Sequence, residues 1–525
     1  MRPDWFSAKI VIERYERGAV GYMYIAGRAE MHMLDAYTIE NLGLPGMVLM
    51  ENAGAAVVGE IIRDFPDKET KVTVLAGGGN NGGDGFVIAR RLYDFGYDIV
   101  LVRCVEEEQL KGDAALHYSV YKSRELPVVE WSQEWVQQAD VIVDALLGTG
   151  FQGRLREPFS SIIRGMNGAK GYVYAVDVPS GVNADTGEVV DMAIRADKTV
   201  TFALSKKGFY LQQGPQYVGE IICADISVPP VLVEKLGLEL PILIDPAIGR
   251  AALPKRPAHG HKGTFGHVLV MGGCRQYVGA PVYTAKAAFH AGAGLVTLAV
   301  PESIYPLAAT QAPESLLLPL QDEDGAISAT AFQEDKINLS PFTTIAFGPG
   351  LGRKTDGASL LRKIMAEAEG QMLIVDADGL YFAKDMLEEF RSYKGDVVFT
   401  PHPGEMAHLT GLSVKEVEAD RLEIAKQFAR KYGIHLLLKG HRPILTTPAG
   451  EQFVNPYGND ALGKGGSGDV LTGLIASFNA QGAGPLDALV AASYYHATAA
   501  EQLGKERSTY GVVPSDLIGY IRGGL

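Results

Sequence analysis

Cysteine is scarce in this chain of 525 residues: Cys104, Cys223 and Cys274 are the whole supply, and they stand far apart. None has a partner at metal-ligand spacing, so a disulfide framework and a zinc site are excluded, and three buried thiols in a reducing cytoplasm are expected. Long apolar runs are missing as well, since no uninterrupted stretch reaches the length a bilayer demands. The first thirty residues mix charge with aromatics, as in Asp4-Trp5-Phe6 and Glu13-Arg14-Tyr15-Glu16-Arg17, and lack a signal-peptide core. Positive charge is in deficit, with a net charge of −14 and a pI near 5.3. That balance excludes a general nucleic-acid or anionic-membrane surface, but not a nucleotide met by local N–H groups. A cytoplasmic protein with small-molecule partners is the expectation.

What is present points to soluble α/β protein. Hydrophobic residues make up 47% and charged residues 21%, and the length calls for two domains. The pattern loses its period between Leu240 and Pro257, where prolines punctuate it. The division is therefore placed there, giving domains 30–240 and 241–525. Helical spacing runs from Met33 to Ile62, and Ala53-Gly54-Ala55-Ala56 offers a small-residue face that leaves a homo-oligomer open.

In the first domain, Lys71–Ala76 reads as a buried strand feeding a glycine loop, Gly77 to Gly85, with a helix from Phe86. Gly77, Gly79 and Gly82 satisfy G-x-G-x-x-G, so a dinucleotide-dependent dehydrogenase competes. Two features weigh against it. The next strand, Ile99–Val102, ends in Arg103 rather than an acid, and Asn80, Asn81 and Asp84 crowd oxygen ligands into the loop. A carboxylate there repels a pyrophosphate and suits a cation or a hydroxylated group. Two further strands end in Asp144 and Asp177, each running into a loop, Ala145–Gly150 and Val178–Gly181. Each acid alone has a turn-capping explanation, but Asn81, Asp144, Asp177 and Ser180 at the carboxyl ends of one parallel sheet would converge on one crevice.

The second domain alternates strands and helices: strands at 295–300, 344–347 and 435–440, strand-and-loop stretches at 372–380 and 397–405 with a helix between Asp376 and Glu405, and helices at 280–290 and 414–432. His259, His261 and His267 lack a fourth ligand nearby and read as solvated or core histidines. The informative stretch is Gly463-Lys464-Gly465-Gly466-Ser467-Gly468-Asp469, with four glycines before an apolar helix. Glycine lets backbone N–H groups approach an anion, and a helix start adds partial positive charge. Asp469 is either a plain N-cap or a base that takes a proton from a hydroxyl attacking a phosphate. The polar strand ends Asp376, Asp378, His402 and Lys439, and the cationic run Lys439-Gly440-His441-Arg442-Pro443, favour the second reading.

These motifs carry a resemblance. Asn80-Asn81-Gly82-Gly83-Asp84-Gly85, Asp144 to Gly150 and Asp177-Val178-Pro179-Ser180-Gly181 resemble the NAD(P)H-hydrate epimerase domain, a Rossmann-like α/β/α fold. The resemblance implies a potassium ion on Asn81, Asp144 and Ser180. It implies substrate contacts from Asn80, Asn81, Gly82, Gly83 and Asp84, from Gly148, Thr149, Gly150, Phe151, Gln152, Gly153 and Arg154, and from Asp177, which is also the candidate catalytic group. The second domain resembles the ADP/ATP-dependent NAD(P)H-hydrate dehydratase, with a ribokinase-like fold, through His261–His267, Gly348–Gly352, Thr400–Glu405 and Gly458–Asp469. There the resemblance implies Asp469 as catalytic base and Ala280, Gly350 and His402 as substrate contacts. Nucleotide contacts would come from Lys439 to Pro443 (Lys439, Gly440, His441, Arg442, Pro443), Asn459, Gly463, Lys464, Gly465, Gly466, Ser467 and Gly468. ADP or ATP as co-substrate and Mg2+ follow.

The pair implies a bifunctional repair enzyme for hydrated NADH and NADPH. Asp460 departs from the family by placing an acid where a small uncharged residue is usual, with Lys464 positioned to offset it. Two other readings stay open: a ribokinase-like kinase acting on a vitamin precursor, and a first domain that only binds a partner.

Overall fold

A computed structural model describes residues 23–334 and 337–524. Most of the first thirty residues, and with them the signal-peptide reading, lie outside the described residues. The described chain forms two compact units, Met23–Pro241 and the residues from Ile242 onward. Among the described residues no helix is long and apolar enough to cross a membrane.

The Met23–Pro241 unit is built on seven parallel strands in the order Val128–Val129, Asp98–Arg103, Lys71–Ala76, Val141–Ala145, Tyr172–Val176, Lys198–Phe202 and Glu220–Ala224. The central strands are apolar on both faces because helices cover both, as parallel sheets require. The chain enters at Lys71–Ala76, builds outward to one edge, then crosses to Val141–Ala145. The carboxyl ends of those two strands form the switch point at which open α/β sheets bind ligands.

The second unit has ten strands. Their order is Ile242–Leu243, Gln452–Val454, Ile444–Thr446, His435–Leu438, Val397–Phe399, Met372–Val375, Thr344–Phe347, His267–Met271, Leu295–Pro301 and Leu316–Leu320. All pairings are parallel except those that Ile444–Thr446 makes with its two neighbours. Its switch point lies between His267–Met271 and Thr344–Phe347. The helix Ser467–Ala480 packs on Gly279–His290, and Gly473 permits the close crossing, since a Cβ there would stand 2.3 Å from the Thr284 carbonyl oxygen.

Several expectations need correction. The segment 77–85 is not one loop: the helix begins at Asn80 and runs to Asp94, with Gly79 as its N-cap. Its glycines serve packing, since a Cβ on Gly82 would lie 1.9 Å from the Gly77 carbonyl oxygen and one on Gly85 2.8 Å from the Ala145 Cβ. The helical stretch 33–62 is two helices, Arg28–Glu40 and Gly46–Asp64, parted where Gly43 has φ +77° and Pro45 starts the second. The stretch 414–432 likewise breaks at Asp420. The aperiodic stretch after 240 is structured, because Ile242–Leu243 joins the second sheet and Asp245 caps the helix Pro246–Ala251. Such short elements carry too few residues to show a period.

The small-residue face is used inside its unit: Ala53 and Gly54 are buried, and a Cβ on Gly54 would clash with Val87. Cys104 and Cys274 are buried, but Cys223 on the edge strand is exposed. Replacing Gly82 by Ala should destabilise the Met23–Pro241 unit by about 1–3 kcal/mol through overpacking. Urea unfolding of the full chain reads this directly, and an unchanged midpoint would show that the helix start yields freely.

Candidate functional site

In the Met23–Pro241 unit a cavity of about 1240 Å³ opens at the switch point, bordered by Asn80, Asn81 and Asp84 from the helix start. The 148–157 loop and Asp177 close other sides. Behind its wall, Asp144 is fully buried. Its carboxylate accepts hydrogen bonds from the Ser180 N–H at 2.8 Å and the Ser180 hydroxyl at 2.6 Å. Burial pushes its pKa up to about 6, the Ser180 bonds opposing the rise only in part. The Asn81 amide donates to the Leu147 carbonyl at 3.0 Å, while its buried Oδ1 has no hydrogen-bond partner. A buried carboxylate, a hydroxyl and an orphaned amide oxygen form an oxygen-rich pocket short of positive charge.

A second cluster faces the same cavity. Asp177, held at φ +62°, receives the Thr201 hydroxyl at 3.0 Å and lies 2.8 Å from the Lys206 ammonium. Lys206 is fully buried and also donates to Thr201 Oγ1 and to the Phe202 and Leu204 carbonyls. Asp35 and Asp84 border the cavity too; burial pushes Asp35 up to about 6 and Asp84 well above the carboxylate range. Sequence reasoning missed Lys206 and Asp35. Lys206-Lys207 reads as a surface pair, and Asp35 lies on a helix far upstream of any glycine motif.

The second unit brings Asp469, Ala280, Gly350 and Asp378 to one cavity of about 850 Å³. Gly466, at φ +95°, is the N-cap of Ser467–Ala480 and Asp469 is the helix's third residue, so the plain N-cap reading fails. The Asp469 carboxylate accepts no hydrogen bond from the described residues, and burial, aided by nearby Asp376, pushes it up to about 6. Beneath it lies a buried pair: Lys439 donates to Asp376 Oδ1 at 2.6 Å, and the Thr472 hydroxyl donates to Oδ2 at 2.6 Å. Burial pulls the Lys439 pKa down, but Asp376 and Glu405 outweigh it and hold the ammonium charged. Lys439 reaches the glycine turn, since a Cβ on Gly468 would lie 3.2 Å from its Nζ.

Not every expected residue faces a cavity. Gly82, Gly83, Asp144 and Ser180 stand behind the wall of the first, and Gly153 is exposed on the loop outside it. His402 caps the helix Pro403–Thr410 through Nδ1, accepting the Gly404 and Glu405 N–H groups, and is absent from the wall of the second. Lys439 is committed to Asp376 rather than standing free. Asn459 caps the turn at Asp460 and donates to the Ala500 carbonyl. Lys464 donates to the carbonyls of Tyr510 and Val512, so it does not offset Asp460, which takes the Thr509 hydroxyl. The Lys439–His441 turn is fastened by buried Arg421, which donates to the carbonyls of Leu438, Lys439 and His441. Arg421 lies in an ordinary amphipathic helix, and no motif marks it.

Two open α/β sheets, one parallel and one mostly parallel, each with buried acids near the carboxyl ends of its strands, define a two-site enzyme of the nucleotide-binding α/β class. A family model described as NAD(P)H-hydrate dehydratase matches residues 268–522, and one described as YjeF-related protein N-terminus matches residues 46–208. The bifunctional NAD(P)H-hydrate repair enzyme Nnr of Moorella thermoacetica is 36% identical over 510 residues, 95% of this chain and 96% of its own. That of Pyrobaculum aerophilum is 36% identical over 501 residues, covering 93% and 95%. A Bacillus subtilis ADP/ATP-dependent NAD(P)H-hydrate dehydratase, co-crystallised with ATP and Mg2+, is 31% identical, with a TM-score of 0.46 over 52% of this chain and 93% of that one. The chain belongs to the family of bifunctional NAD(P)H-hydrate repair enzymes. It is an enzyme with a Rossmann-like epimerase half and a ribokinase-like dehydratase half.

Replacing Lys439 by Met strands the buried Asp376 carboxylate and should cost about 3–5 kcal/mol of stability, with Asp376→Leu in the same chain restoring most of it. Denaturant titration of the single and double variants is the measurement; a single variant as stable as the parent would mean Asp376 is already neutral.

Proposed function

We propose that the second unit dehydrates the hydrate by phosphorylation and elimination, with Asp469 as the base. The observation that carries this is a carboxylate that accepts no hydrogen bond from the described residues, in the first turn of a glycine-started helix, on a cavity wall near the partly buried cation of Lys439. Asp469 takes the proton of the ring hydroxyl, and the oxygen attacks the terminal phosphorus of ADP or ATP while the bond to the nucleotide leaving oxygen breaks. The N–H groups of Gly466 to Gly468 stabilise charge on the transferring group. The phosphate then leaves with the C–O electrons, the adjacent ring carbon gives up a proton, and the dihydronicotinamide returns.

Lys439 acts from below as a fixed charge that holds Asp376 and limits the rise of the Asp469 pKa. Nucleotide contacts come mainly from backbone groups of 439–443 and 463–468, because Asn459 and Lys464 have their polar atoms committed elsewhere. Ala280 and Gly350 line the substrate side. His402 acts through the helix it caps. Magnesium would arrive on the nucleotide phosphates, since no group of three His, Cys, Asp or Glu among the described residues forms a protein cage for it.

In the first unit the epimers interconvert in the cavity bordered by Asn80, Asp84, the 148–154 loop and Asp177. Potassium fits Asn81, Asp144 and Ser180, where an orphaned amide oxygen and a buried carboxylate call for a cation. Bound there it would supply fixed positive charge beneath the substrate loop.

Asp469→Asn should lower dehydration by about 10²–10⁴-fold, as loss of a general base does. In the parent, the rate should fall as pH drops through about 6, because the base must be ionised and burial has raised its pKa. Recovery of dihydronicotinamide absorbance measures both; a flat profile from pH 5 to 8 would remove Asp469 from the proton transfer. Potassium chloride should raise the melting temperature of the chain more than equal lithium chloride, and Asp144→Asn should abolish the difference. Calorimetry reads this without substrate, and equal shifts for both salts in the parent would overturn the potassium site.

A further inference from the structure

The cavity of the first unit holds more acid–base chemistry than a binding site needs. Asp35, on the helix Arg28–Glu40, borders it together with Asp84, Asp177 and Lys206. Their states differ by environment. Asp177 Oδ1 is taken up by the Lys206 ammonium at 2.8 Å, the Thr201 hydroxyl at 3.0 Å and the Phe202 N–H at 3.4 Å, which holds its position. Asp84 is more deeply buried, and burial, aided by Asp177 and Asp35, pushes its pKa upward. Asp35 is partly buried on the cavity wall and accepts no hydrogen bond from the described residues.

We propose that Asp35 is the acid–base group of the epimerisation, and that Lys206 is a positioning residue that holds Asp177 in place on the same cavity wall. This rests on the epimerase reading of the same cavity. Hydration of an enamine places the hydroxyl on the ring carbon next to the ring nitrogen. Asp35 in its acid form gives its proton to that hydroxyl oxygen. The C–O bond breaks with its electron pair going to oxygen, water departs, and the nitrogen lone pair forms the C=N bond of a cationic ring. Water then adds to the opposite face, the C=N electrons return to nitrogen, and the proton released goes back to the Asp35 carboxylate. One water leaves and one enters, so no oxidant or reductant is required. The fixed carboxylate of Asp177 stabilises the cationic ring between the two steps. Burial pushes Asp35 up to about 6, with Asp177 raising it further and Lys206 and His32 opposing, so both of its forms are populated near neutrality. The other charged groups bordering the cavity are Arg28, His32 and Glu40 on its own helix, Asp113, and Arg154, Arg156 and Glu157 beyond the strand Val141–Ala145.

The test uses the full chain without nucleotide, one purified epimer of hydrated NADH, and water enriched in oxygen-18, with epimers and mass followed by chromatography. The parent should take up one labelled oxygen per inversion. Asp35→Asn should lose at least ~100-fold in kcat with a smaller change in KM, and Asp35→Glu should regain part of it. The descending limb of kcat near pH 6 should move to higher pH in Lys206→Met, since loss of a cation raises the Asp35 pKa; a purely structural lysine would lower the rate and leave the limb in place. Inversion without label uptake means ring opening at the C–N bond and overturns the proposal, as does an Asp35→Asn variant with the parent's kcat. A parent that never accelerates inversion sinks the epimerase reading itself, an outcome distinct from both.

Discussion

Both halves of this chain depend on one costly arrangement: carboxylates buried at the carboxyl ends of parallel strands. Buried Asp144 and partly buried Asp177 end strands of the first sheet, and buried Asp376 ends one of the second. Water would solvate such groups far better than protein does, so each is retained only where something else compensates it. Asp376 and Asp177 are compensated internally, by Lys439 and Lys206. Asp144 has a serine and backbone N–H groups, and its remaining demand for positive charge is the reason a cation is proposed there. Asp469 and Asp35 have no such lysine in contact. These two face cavities, and their raised pKa values place them at the threshold where a proton can be taken or given.

Glycine is the means by which the backbone accommodates this. At Gly466 a left-handed residue ends the loop and starts the helix that carries Asp469, while Gly473 lets the same helix press on its neighbour. In the first half the glycines lie inside the helix start instead. Gly82 touches the Gly77 carbonyl, and that close approach carries Asn81 over the end of the strand Val141–Ala145, within reach of Leu147. The two glycine-rich motifs thus look alike as strings and act differently: one exposes N–H groups, the other lowers a helix onto a sheet.

The sheets, their order of elements and the acids at strand ends were legible because buried parallel strands are continuous apolar runs and their ends are marked by glycine. The start of the helix at Asn80 was not, because two adjacent glycines argue against a helix until the packing that needs them is seen. Lys206, Asp35 and Arg421 escaped for a common reason. Each acts through tertiary approach from an element whose local sequence is ordinary: a lysine pair after a strand, an acid in an amphipathic helix, an arginine in another. Conversely, Lys464 and Asn459 sit inside the most telling motif of the chain yet use their side chains to fasten the segment 509–512 and the helix Pro485–Arg507. Membership in a motif shows that a segment matters; the hydrogen bonds decide which of its atoms face the ligand.

The energetic difference between the two reactions gives their fusion a chemical logic. Inversion at the hydrated carbon makes and breaks the same bond and so has little driving force, while phosphorylation followed by loss of phosphate is driven by the nucleotide. Under the proposed mechanism, a base fixed in a rigid helix start would accept one stereochemistry at the hydroxyl, because the oxygen must lie in line with the transferring phosphorus. Removal of that epimer draws the other through the reversible step for as long as the two interconvert faster than they are lost. The first site therefore needs no coupling to the nucleotide. It needs only a group that both gives and takes a proton near neutral pH, which is what a half-buried carboxylate beside a fixed ion pair provides.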